Sequence, residues 1–167
     1  DIKNYNNDFG SPSSPLKFDK IKATQTVLFS HLLFDFKNKW LLETGLSYNQ
    51  YGYAFNSSFP IVVSTQSRSF KAQWMPKLAI SYQLASFIAW RASVSRGYSP
   101  PALAEIRSSN NEVNTNLQSE NGWNYETGIR LRSKNNFIWW DVSVFNYELQ
   151  QAIVRRVDNA GQDDFIN

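Results

Sequence analysis

The sequence predicts an all-β fold: an antiparallel up-and-down segment of a transmembrane β-barrel, about six to eight strands of a larger wall. Three observations predict it. Apolar and polar residues alternate with period two over long stretches. Short connections alternate with long ones, as in a barrel with tight turns at one membrane face and extended loops at the other. The segments exceed the about 5–6 residues of an ordinary strand and meet the roughly 9–11 needed to cross a bilayer.

Taken in order, the first segment, Ala23–Phe36, is apolar on both sides ("TVLFSHLLFDF"), so its facing stays open. The tripeptide "KNK" turns it near Asn38 into Trp40–Gln50, where Trp40, Leu42, Leu46 and Tyr48 oppose Glu43, Gly45, Ser47 and Asn49. Ala54–Phe70 is expected to be a long loop. Ala72–Leu84 follows, with Trp74, Leu78, Ile80, Tyr82 and Leu84 on one side and Gln73, Lys77, Ser81 and Gln83 on the other. "LASF" turns the chain near Ala85 into Ile88–Val94, where Trp90 and Val94 oppose Arg91 and Ser93. A long connection, Gly97–Asn121, leads to Trp123–Leu131, with Tyr125 and Ile129 opposite Glu126 and Arg130. "SKNN" near Asn135 precedes a last segment from Phe137 to about Val157, some 20 residues or ~65 Å of strand. Its Trp140, Val142 and Val144 face one way, and Asp141, Ser143, Phe145 and Tyr147 the other. The stretches before Ala23 and after Gln150 are expected to be further long connections, and the closing "DDFIN" the beginning of another strand.

Composition narrows the function classes. A chain of 167 residues with 42% hydrophobic residues suits one folded unit rather than a disordered polymer. The 16% aromatic content includes Trp and Tyr near segment ends, where membrane barrels carry interfacial girdles. A net charge of +3 without a basic stripe argues against nucleic acid. The absence of Cys removes disulfides and thiolate metal sites. No window reaches 18 apolar residues, so no transmembrane helix is expected. The competing reading is a soluble β-sandwich or barrel, a carbohydrate-binding or adhesin module whose exposed Trp and Tyr stack on sugars. Alternation alone permits it, since half-buried sheets alternate too. Lys77, Arg91, Glu126 and Arg130 on one face favour a wet lumen.

No enzyme signature emerges. "GLSYN" from Gly45 lacks the final Gly of a nucleophile elbow. His31 has no His or Cys companion and reads as a strand histidine. "DNAGQDD", Asp158–Asp164, lacks the spacing and terminal Glu of a calcium loop and reads as a solvated connection. No metal or cofactor is called for. The candidate ligand-binding residues are Arg68, Arg91, Arg96 and Arg107, cations able to meet an anionic chelate, and Tyr98 at the strand end.

The wording of the second half adds a resemblance. "SRGYSPPALAEIR" from Ser95, "NLQSENGWNYETGIRLR" from Asn116 and "FIWWDVSVFNYELQQAIVRR" from Phe137 resemble the barrel domain of TonB-dependent outer-membrane receptors. The similarity lies in Gly97, Tyr98, Pro101, Leu103 and Glu105, then Leu117, Glu120, Asn124, Tyr125, Glu126 and Gly128, then Phe145, Tyr147, Ala152 and Ile153. The usual Asn-x-Gly of the following strand is represented by Asn167 alone. The resemblance covers about Arg91 to Asn167. It implies a bacterial outer-membrane location and active uptake of a ferric siderophore or similar iron chelate. It further implies membrane lipid around the barrel and a plug domain that engages the TonB complex. Residues 1–167 would then be a partial barrel domain, about six to eight strands of a roughly 22-stranded wall, without the plug, TonB box or C-terminal strands. Pro100 and Pro101 would end a strand at the outer rim, because proline cannot donate to the ladder, and the polar residues after them would form an extracellular loop.

Overall fold

The structure, a computed structural model, describes residues 2–7, 17–59, 61–106, 113–133, 135, 137–157, 161 and 163–167. It is a single antiparallel meander with a small two-stranded sheet beside it. β1 (Ile2–Asn7) pairs with the upper end of β2 (Lys17–Phe36), and β2 pairs along its length with β3 (Trp40–Phe59). β4 (Val63–Ser69) and β5 (Gln73–Ala85) both return along β3, and β6 (Ile88–Ser99) pairs with β5. One helical turn, α1 (Leu103–Ile106), interrupts the connection to β7 (Glu120–Arg132), which pairs with β6. β8 (Trp139–Gln150) completes the wall, and β9 (Val154–Val157) pairs with β10 (Asp163–Ile166).

The expected short turns are where the wall reverses at one end. Lys37 and Asn38 take positive φ (54° and 55°), the conformation of tight hairpin turns. The Asn38 amide donates to the Asp35 carboxylate at 3.1 Å. The other end carries the long connections.

Register settles the facing of β2. Leu28 pairs with Tyr48, Phe34 with Leu42 and Phe36 with Trp40, so even positions of β2 join the apolar face. That face continues through Trp74, Leu78, Tyr82, Trp90, Val94, Ile129, Val142 and Val144. No other layer of the described chain covers it: Trp74 is 55% exposed, Leu78 49%, Trp140 61% and Val144 72%. Aromatic pairs border it, with Trp40–Tyr82 centroids 4.1 Å apart near the short turns and Tyr48–Trp74 5.0 Å apart toward the long loops. The two pairs are eight residues apart on β3, about 27 Å along the strand. Tilted roughly 35–45° as barrel strands are, the pairs lie about 19–22 Å apart across the membrane, within the ~25 Å apolar band of a membrane wall.

Three expectations need correction. Ala54–Phe70 is not a loop: β3 continues to Phe59 and β4 returns along it. Asn49 faces Gln73 while Gly52 faces Ser69, so Gln50 and Tyr51 oppose Phe70, Lys71 and Ala72. This one-residue bulge inverts which parity points outward in β4, and so hides the strand from a period-two reading. The stretch before Ala23 is likewise strand, since β2 starts at Lys17 and pairs with β1. The Phe137–Val157 segment is not continuous: Gln151 at φ 56° breaks it, and β9 pairs with β10 rather than β7. The expected strand start at "DDFIN" corresponds to β10. Most of the solvated-connection reading at Asp158–Asp164 lies outside the described residues.

Candidate functional site

The inner, polar face is made by odd positions of β2, β3, β5, β6 and β8 and even positions of β7. Small side chains floor a groove there: Ala79, Ser81, Ser93 and Ser95 lie between larger charged neighbours. On one flank Lys77 meets the Glu43 carboxylate at 2.5 Å, and His31 Nε2 lies 3.1 Å from the same oxygen. On the other flank Arg91 reaches Glu126 at 3.0 Å and Asp141 at 2.8 Å, while Arg130 holds the second Asp141 oxygen at 2.8 Å. Lys77, Arg91 and Arg130 thus stand against Glu43, Glu126 and Asp141. The groove is strongly polar but locally neutral. Such a cluster would be very unfavourable facing lipid; facing water it is half-exposed and partly screened.

Above the apolar band the same face turns aromatic. Tyr51, Tyr53 and Phe55 on β3, Ile21 on β2 and Phe70 after β4 form the one substantial buried cluster among the described residues. Ile106 of α1 inserts among them with 0% exposure, supported by Leu103 and Val113. Pro101 and Leu117 are buried as well. The β6–β7 connection is therefore not a purely polar loop: its apolar residues cover an inner aromatic wall that would otherwise be wet. Burial raises the phenols of Tyr51 and Tyr53 above their ordinary value, and for Tyr53 the neighbouring Arg68 cation offsets part of the rise.

The residues expected to bind ligand fall in different places. Arg91 alone lines the groove, engaged by two carboxylates. Arg68 donates through Nη1 to the Thr115 carbonyl, and its guanidinium lies 4.7 Å over the Phe70 ring. Arg96 donates to the Trp74 carbonyl at 3.1 Å, to Gln73 at 3.0 Å and to Asn121 at 3.2 Å, joining β5, β6 and β7 just past the end of the β5–β6 ladder. Tyr98 accepts from the Ser119 hydroxyl at 3.2 Å. Arg107 lies outside the described residues. Glu43, Asp141 and the seat of Ile106 were missed by sequence reasoning. Hairpin arithmetic from the Asn38 turn could have placed His31 opposite Gly45 and so diagonal to Glu43 on the same face, and the apolar spacing Leu103–Ile106 hinted at a packed turn.

A wall with an uncovered apolar face bounded by aromatics, a wet charged opposite face and long connections at one end is a membrane barrel rather than a sandwich. The model of the TonB dependent receptor-like β-barrel family matches residues 1–167. The chain belongs to this TonB-dependent receptor barrel family. It is accordingly an outer-membrane barrel segment of a Gram-negative bacterium, within a family of transport receptors. No curated protein matches the sequence. Among solved structures, the alcaligin outer-membrane receptor FauA from Bordetella pertussis superposes with a TM-score of 0.61 at 13% identity, over 89% of this chain and 25% of that one. The siderophore receptor PirA from Pseudomonas aeruginosa gives 0.58 at 14% identity, over 90% and 38%. The likeness is one of fold, and the TonB-dependent receptor segment described here spans between a quarter and two-fifths of those chains.

Proposed function

We propose that this barrel segment serves an active-transport receptor that takes up a ferric siderophore or similar iron chelate, energised through TonB. The observation that carries the reading is the small-residue groove between balanced charges on the water-facing side of a lipid-facing wall. A neutralised polar groove suits a bulky, hydrogen-bonding solute: it offers donors and acceptors along a route without a net charge that would trap an ion. The alcaligin and siderophore receptors that share the fold support this choice of solute. Within this reading Arg91 is the member of the expected set that meets the solute, by exchanging a carboxylate partner for it, and Tyr98 with Ser119 lies toward the entrance. Arg68 and Arg96 act by holding backbone in place.

The test is growth under iron limitation. A host lacking its own siderophore receptors, carrying the full-length receptor, is supplied in turn with ferric hydroxamate, catecholate and citrate chelates. Growth on at least one, abolished when TonB is removed, is the expected result. Failure on every iron chelate, or growth indifferent to TonB, contradicts the proposal.

A further inference from the structure

The wall has a notch between β5 and β6. Their ladder stops at Lys77–Ser95, whereas β5 stays paired with β3 up to Gln73 and β6 with β7 up to Ser99. Beside the last pair stands Pro76, which has no N–H to continue the ladder. Arg96 faces the notch from β6. It shares the outward side of Trp90 and Val94 and pairs with Trp123 of β7. Its guanidinium reaches about 7 Å, two residues, toward the long-loop end, where it donates to the Trp74 carbonyl, Gln73 and Asn121. It arrives at the level of the Tyr48–Trp74 pair, the aromatic boundary where lipid headgroups begin. Among the described residues no carboxylate pairs with it. Glu148, the outward carboxylate of its row, lies two strands or about 10 Å away beyond Trp123. Three of the five guanidinium N–H groups are engaged, which leaves two for a further acceptor. On the other side of Pro76, register continues the row through Leu46 and Ser30. The small Ser30 leaves a shallow groove of about 400 Å³ there, lined by Leu28, Leu46, Tyr48 and Trp74.

We propose that this notch binds one phosphate-bearing lipid of the outer leaflet, with its phosphate on Arg96 and an acyl chain along the Ser30 groove below Trp74. A cation without a counter-charge is unfavourable at the hydrocarbon boundary, and a phosphate oxygen meets it through charge-assisted bonds. A free phosphate answers the cation but leaves the groove empty. An uncharged lipid fills the groove but leaves the cation unanswered. An anionic lipid does both. The site lies on the outside of the wall and serves whichever solute is carried.

The full-length receptor is stripped of lipid in a neutral detergent, and bound lipid is counted by native mass spectrometry. The probes are dimyristoyl phosphatidic acid, dimyristoylglycerol with the same chains but no phosphate, and glycerol phosphate with no chains. The expected result is one phosphatidic acid bound at least about fivefold more tightly than dimyristoylglycerol, and not displaced by glycerol phosphate. Arg96→Gln abolishes that preference. Arg96→Lys keeps most of it, because a point charge still meets a phosphate. Ser30→Phe fills the groove from a different strand and weakens binding several-fold. Heat-modifiable mobility reports that each variant is folded; should Arg96→Gln fail to assemble, Arg96→Lys and Ser30→Phe decide. Equal binding of the two lipids by the wild type overturns the site. Displacement by glycerol phosphate, or indifference to Ser30→Phe, leaves a bare anion contact and overturns the lipid. A preference that survives Arg96→Gln puts the phosphate elsewhere, and one lost in Arg96→Lys as well reports a broken clamp rather than a missing charge; either overturns the proposal.

Discussion

At the scale of single residues, two features of the inner face are under packing control. Gly122 lies where Tyr147 crosses the wall. A Cβ at Gly122 would sit 2.7 Å from the Glu148 carbonyl oxygen and 2.9 Å from the Tyr147 ring. Gly122→Ala stabilises through the unfolded chain by about 0.4–1 kcal/mol but overpacks by about 1–3 kcal/mol, so net destabilisation is expected. The check is the urea midpoint of the receptor refolded in lipid vesicles; an unchanged or higher midpoint contradicts the close packing. Tyr53 supplies a pH signature. Burial raises its phenol above the ordinary value of about 10. A group raised on folding contributes stability that is complete below its unfolded value and is lost as pH climbs through the folded one. Wild type and Tyr53→Phe should therefore show parallel stability up to about pH 10, with wild type falling away faster above it. Denaturant midpoints across that range decide the matter, and parallel curves throughout would mean the phenol is not buried.

At the scale of elements, the bulge at Phe70–Ala72 makes a sharp prediction. Deleting Lys71 leaves Gly52 facing Ser69 and Asn49 facing Gln73, so every side chain keeps its face and the barrel should still assemble. Deleting Ala79 removes a residue from a regular ladder. Gln73 to Leu78 then change faces, which points Lys77 at lipid with a penalty of about 2–4 kcal/mol near the midplane and turns Trp74 and Leu78 inward. Assembly should be lost. Heat-modifiable electrophoretic mobility of the full-length receptor distinguishes the pair, and equal behaviour refutes the assigned register. The same bulge explains which parts of the fold were legible. In β5, β6 and β7 one face meets lipid and the other water, so Trp74, Trp90 and Ile129 alternate with Lys77, Arg91 and Arg130 and the strands announce themselves. Above the band both faces of β3 meet protein or water. There the pattern "YGYAFNSSF" has no lipid to answer to and reads as loop. In β2, Val27, Phe29 and Leu33 lie on the inner face opposite Asn49, Ser47 and Glu43, which erased the contrast that would have set its facing. The candidate site was legible as a set of polar-face residues, Lys77, Arg91, Glu126 and Arg130. Its pairings were not, because they depend on register across strands.

At the scale of the whole molecule, one sheet separates two solvents. Among the described residues nothing covers the outward side chains, and the inward ones build a charged groove below an aromatic socket filled from the β6–β7 connection. The lower half of β2, Thr24 to Phe36, has a neighbour on β3 alone among the described strands. An open edge at membrane depth is unfavourable, which agrees with a segment that completes its wall with further strands of its receptor. The facing of the wall is the claim on which groove and transport both depend. Its most direct measurement is a period-two scan of β5 in the full-length receptor in lipid vesicles. Single cysteines at Trp74, Leu78, Ile80 and Tyr82, and at Gln73, Lys77, Ala79 and Ser81, are labelled with an environment-sensitive fluorophore and exposed to a quencher attached to lipid chains. The account predicts quenching at the four even positions and not at the four odd ones; uniform quenching, or the reverse alternation, would contradict it.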